Sequence, residues 1–108
     1  MVIYKKLVRD KIPDIIENSE NTCEVATLNQ EKFIVELKKK LQEEVTEYLI
    51  SSTDDHAIEE LADILEVVHS LAKTHLSTIE EVEKIRQSKF EERGGFERKF
   101  LLVSTGEE

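Results

Sequence analysis

Two acidic spacings hold most of the chemistry this sequence suggests: EExxE at Glu43, Glu44 and Glu47, and, after twelve intervening residues, ExxD at Glu60 and Asp63. Carboxylates three positions apart share one side of a helix. On a wheel of about 100° per residue, Leu37, Leu41 and Tyr48 cluster with Glu44 beside them, and Glu47 lies at the edge of that arc. Glu43 and Glu36 fall further round, toward solvent. Glu60 shares a line with Ile64, Val67 and Leu71, and Asp63 sits at its edge.

Four carboxylates converging beside apolar surface repel one another, and desolvating an ionised acid is costly, so a proton or a cation must compensate. Lys40 is on the correct side to pair with Glu44 or Glu47, but one lysine does not balance four acids. Hard oxygen ligands at this density suit Mg²⁺ or Mn²⁺. Ca²⁺ suits them less, because no EF-hand-like loop is present. Carboxylate-bridged iron is disfavoured, since bundles that hold it use Glu-x-x-His pairs and neither acidic pair is followed by His at that spacing. The plainer reading is a solvated acidic face, because EExxE arises easily by chance in a chain with 24 acidic residues.

Long helices must position these acids. Apolar residues recur at helical spacing from Gln30 to about Ser51, with Asn29 as N-cap. SSTDD then forms a short loop, and a second helix runs from about His56 to Lys73, so the two pack as antiparallel neighbours. A capping box at Ser77 to Glu80 starts a third helix that ends near Gly94 and Gly95. The segment LVRDKIPDIIENS reads as a short helix kinked or started at Pro13. CEVATL and KFLLVS read as strands that pair in a small two-stranded patch. The expected fold is mostly α, a helical bundle with that β patch, in one domain over residues 1–108.

Composition agrees: 39% hydrophobic, 36% charged, Gly 3 and Pro 1 favour helices over a β sandwich or a disordered chain. A net charge of −9 argues against a nucleic-acid polymer as partner. Cys23 is the one cysteine, which excludes an intramolecular disulfide and a cysteine-based zinc site and suggests an idle thiol. No secretory signal or membrane-spanning run is visible, so a cytoplasmic location without membrane contact is expected. His69 lies on the apolar side of the second long helix and reads as a core or interface residue. That helix is apolar over more than half its circumference, which predicts a homodimer.

The ordered acids resemble the EExxE and ExxD signature of the MazG-like all-α nucleotide pyrophosphohydrolases. YKKLVRDKIPDII at 4–16 and KFEERGGF at 89–96 resemble a subgroup described as phosphoribosyl-ATP pyrophosphohydrolase-like, or predicted house-cleaning enzymes, and the likeness runs over about 4–103. It implies Mg²⁺-dependent hydrolysis of a nucleoside triphosphate, with a noncanonical base expected, between the α and β phosphates, giving a monophosphate and pyrophosphate. It makes Glu44, Glu47, Glu60 and Asp63 metal ligands, with Glu44 or Glu47 also the catalytic base. Arg9, Lys11, Lys89 and Arg93 become phosphate-binding residues, and a homodimer is implied again. One departure counts against phosphoribosyl-ATP as substrate: such enzymes carry a His closer behind the ExxD aspartate than His69 stands here. That activity, a noncatalytic nucleotide-binding module and an oligomerisation hairpin are the alternatives.

Overall fold

The computed structural model describes residues 4–106. Among them lie four helices: α1 (Ile12–Asn18), α2 (Gln30–Ile50), α3 (Asp54–Thr74) and α4 (Ile79–Arg93). The caps explain the boundaries. Asn29 Oδ1 accepts from the Lys32 N–H at 2.9 Å to open α2, and Thr53 Oγ1 accepts from the His56 N–H at 3.2 Å to open α3. Asp54 and Asp55 stand in the first turn of α3 and Lys73 in its last, each favourable toward the helix dipole. Pro13 lies in the first turn of α1, where its missing N–H costs no helical hydrogen bond.

α3 closes with a reversal in which the Ser77 N–H reaches Ala72 O and the Leu76 N–H reaches Lys73 O, both at 3.1 Å. Leu76 takes the left-handed conformation that this motif requires, at φ 57°. Ser77 is therefore committed to ending α3, and the cap of α4 moves one residue on. Thr78 Oγ1 accepts from the Glu81 N–H at 3.2 Å, using the overlapping T-x-x-E frame rather than the expected Ser77 to Glu80 box. The Gly94 N–H closes α4 on Phe90 O at 2.7 Å, with φ 80° that favours glycine.

The three-residue link between α2 and α3 makes them an antiparallel hairpin, and they pack along each other. α4 touches α3 alone among the helices, and α1 touches none of them. Leu37 of α2 and Val67 and Ala72 of α3 form a small buried core. The result is elongated, 63 × 36 × 26 Å. Its radius of gyration is 18.7 Å, where a compact chain of this length has about 13 Å.

The expected β patch is absent among the described residues: CEVATL and KFLLVS lie outside any strand and form no ladder. An isolated pair of strands is marginal in water; CEVATL meets α1 at Cys23, whose Sγ lies 3.8 Å from Pro13 O, and KFLLVS stays exposed. Val25, Phe100, Leu101, Leu102 and Val103 remain exposed. No helix among the described residues is long and apolar enough to cross a membrane.

Candidate metal centre

Three of the four expected acids come together across the hairpin. Glu44 from α2 and Glu60 and Asp63 from α3 each offer a carboxylate oxygen, all within 4.8 Å of one another. Glu44 and Glu60 are buried at 8% and 9% exposure, the only buried charged residues among those described. Glu47 is half-buried one turn further along α2 and stands outside this group of three. The helical spacing explains the burial: both glutamates lie on the lines of apolar residues that face the opposite helix.

The cluster is not charge-balanced. With both buried glutamates ionised, Glu60 Oε2 is an enclosed acceptor with no donor. A proton shared with Glu44 satisfies it, so hydrogen bonding to Glu44 leads the causes that raise the Glu60 pKa above the ordinary carboxylate value. Desolvation and the charges of Glu44 and Asp63 push in the same direction, and His56 opposes them. A divalent cation answers the same need: the donors are hard oxygens, close together, and one lacks any other partner. The residues present therefore fit Mg²⁺ or Mn²⁺.

Basic groups surround the acids. Arg9 Nη2 donates to Asp63 Oδ1 at 2.7 Å, and Lys6 Nζ to Glu43 Oε1 at 3.2 Å, tying the segment before α1 to both long helices. Lys40 Nζ lies 3.4 Å from Glu44 Oε1 and 3.7 Å from Glu43 Oε1, so it pairs with Glu44 as anticipated and with Glu43 in place of Glu47. Lys5, Lys6, Lys39 and Lys40 line a cleft of about 150 Å³ with Leu7, Glu36 and Glu43. His56 Nε2 lies 3.2 Å from Glu60 Oε1.

Of the four basic residues expected to meet phosphate, Arg9 reaches the cluster. Lys11 is exposed at the N-cap of α1, and Lys89 and Arg93 are exposed on α4, which does not pack against α2. Neither Lys6 nor His56 was expected at the site. The i, i+4 spacing of His56 and Glu60 was the signal for the second; nothing local marked Lys6, which meets Glu43 only through the path of the chain before α1.

No known protein family's sequence pattern matches the chain, and no solved structure matches it. An uncharacterized protein of Mycolicibacterium smegmatis (strain ATCC 700084 / mc(2)155) is 41% identical over 54 residues, 50% of this chain and 55% of that protein. The chain thus spans about half the length of the curated relative it matches.

Proposed function

We propose that the chain is a Mg²⁺-dependent nucleoside triphosphate pyrophosphohydrolase of the MazG-like all-α type, acting as a homodimer. The observation that carries this reading is the convergence of Glu44, Glu60 and Asp63, with Glu60 Oε2 buried and unpartnered. Basic side chains beside an otherwise repulsive acidic cluster support it, because a polyphosphate needs both a metal and cationic donors.

Glu44, Glu60 and Asp63 hold the cation, and Glu47 is available as a further ligand from the next turn of α2. When bound, Mg²⁺ neutralises phosphate oxygens and lowers the pKa of water. Arg9 is suited to a bidentate grip on a phosphate once it leaves Asp63, and Lys6 and Lys40 supply point charges along the cleft. Glu47 or Glu44 accepts the proton of the attacking water, and the bond between the α and β phosphates breaks to leave a monophosphate and pyrophosphate. Lys11, Lys89 and Arg93 belong to this reading only where substrate or a second copy brings them to the phosphates.

The test is pyrophosphate release from a panel of standard and modified nucleoside triphosphates and phosphoribosyl-ATP, with Mg²⁺ or Mn²⁺ and an EDTA control. Metal-dependent release that vanishes in Glu44→Gln and Asp63→Asn, both still folded, is the expected result. Nucleotide binding without turnover across the panel overturns the enzyme and leaves a binding module.

A further inference from the structure

The chain exposes more surface than a protein of its mass keeps in water. Its accessible area is 10165 Å², where a folded monomer of 12.5 kDa exposes about 6,200 Å². The excess is several times the roughly 800 Å² that each partner buries in a standard interface, so a dimer interface of obligate size accounts for part of it.

Two apolar surfaces contribute to this excess. α3 buries one face against α2 through Glu60, Ile64 and Val67, while Ile58, Leu61 and Leu65 form a second stripe that is 45–64% exposed. The other surface is the arm after α4, where Phe96, Phe100, Leu101, Leu102 and Val103 are each 76–97% exposed. Four consecutive apolar residues give an extended segment no polar face, so it needs cover on both sides.

The two surfaces match in length and charge. Ile58 to Leu65 spans about 10.5 Å along a helix, and Phe100 to Val103 spans about 10 Å in extended chain. Asp55, Glu59 and Glu66 flank the stripe, while Arg98 and Lys99 precede the apolar run. Arg98 already lies over the Phe100 ring, 4.4 Å from its centroid, which holds the cation at the edge of the apolar surface.

We propose that the arm, residues 96–103, is exchanged between two copies of this chain, each seating it on the Ile58, Leu61 and Leu65 stripe of the other. The arm contact rests on the homodimer reading above and is independent of the hydrolase reading. It gives KFLLVS the apolar cover that it lacks within one chain.

Light scattering of the full chain after size exclusion gives the first outcome, a mass twice 12.5 kDa; a monomer overturns both the dimer and the exchange. In a Cys23→Ser background, differently tagged Leu61→Cys and Leu102→Cys chains are co-expressed and oxidised with diamide. A disulfide between the two tagged chains is expected. A dimer that gives no mixed disulfide overturns the arm contact alone, as does a Leu61→Cys and Leu102→Cys double variant that cross-links only within one chain. Phe100→Ser with Leu102→Ser, which share the face that meets Leu61, is the second probe. It leaves helicity by circular dichroism intact and raises the dimer dissociation constant by at least about tenfold; an unchanged dissociation constant counts against the exchange.

Discussion

Arg9 Nη2 donates to Asp63 Oδ1 at 2.7 Å across 54 positions of sequence, so a guanidinium occupies one oxygen of a candidate metal ligand. Both side chains are substantially exposed, and a pair of that kind contributes only about 0–1 kcal/mol. A divalent cation takes Asp63 at little cost, and the released arginine is left one side-chain length from the site. Arg9→Ala is therefore expected to bind Mg²⁺ at least as tightly as the parent chain, read by thermal shift. It should lose about tenfold to a hundredfold in kcat/KM for the triphosphate, the worth of a charge-assisted hydrogen bond. Unchanged kinetics would remove Arg9 from the phosphate site.

Adding and withdrawing the metal tests the cluster without any assay of turnover. A cation that binds only the folded chain stabilises it by about 2.7 kcal/mol at a hundredfold excess over Kd. For a chain of about 100 residues that is a rise in melting temperature on the order of 10 °C or more, reversed by EDTA. Glu60→Gln should raise the melting temperature of the metal-free protein, because it removes a buried charge facing two others, and should abolish the response to Mg²⁺. A Glu60→Gln protein that still responds fully would place the cation elsewhere.

The Glu60 shift also fixes a pH dependence. Its pKa is raised in the folded state, above all by hydrogen bonding to Glu44, so the folded chain binds that proton more tightly than the unfolded one. The stability this supplies is complete below the ordinary carboxylate pKa and is lost as pH rises through the raised value. Without metal, the melting temperature should climb as pH falls from neutrality toward that value. Saturating Mg²⁺ should reverse the slope, since the cation needs the ionised form. The exposed Glu83, whose pKa is lowered by hydrogen bonding to Arg86, has the opposite sign and acts only at lower pH, as the solution falls through its depressed value. A metal-free melting temperature that is flat or falls between neutral pH and the raised Glu60 value would remove the shared proton.

The acids of this site were legible because helical periodicity alone sets which residues of α2 and α3 face each other. Glu44 and Glu60 sit on the lines of Leu37 and Val67, and all four are buried in the hairpin. The Asn29 cap was legible because it acts on an N–H group three residues away, whereas the α4 cap fell on Thr78, one residue past the expected Ser77. What depends on distant chain was not legible. The approach of Lys6 to Glu43 and Arg9 to Asp63 is set by how the segment before α1 runs across the hairpin, and no local pattern encodes that path. The strand reading of KFLLVS failed for a related reason: β-branched and aromatic residues mark a segment that fits a half-buried sheet, but the ladder needs a partner that this chain does not bring to it.

Leu76 offers a test of the backbone that separates strain from assembly. It holds φ 57° at the end of α3 and its side chain is fully exposed, so in one chain the leucine gains nothing for the left-handed conformation it adopts. That conformation costs an L-residue roughly 1–2 kcal/mol, and glycine, which avoids the strain, returns about 0.4–1 kcal/mol through the greater freedom of the unfolded chain. Leu76→Gly should therefore stabilise the protein by about 0.5–1 kcal/mol, a rise of several degrees in melting temperature. The hydrogen bonds from the Leu76 and Ser77 N–H groups to Lys73 and Ala72 are backbone contacts and survive the change. A stabilised variant with an unaltered dimer dissociation constant assigns the leucine to the loop alone. A destabilised one, with weaker dimerisation, places the Leu76 side chain in the interface between copies, where burial offsets the strain.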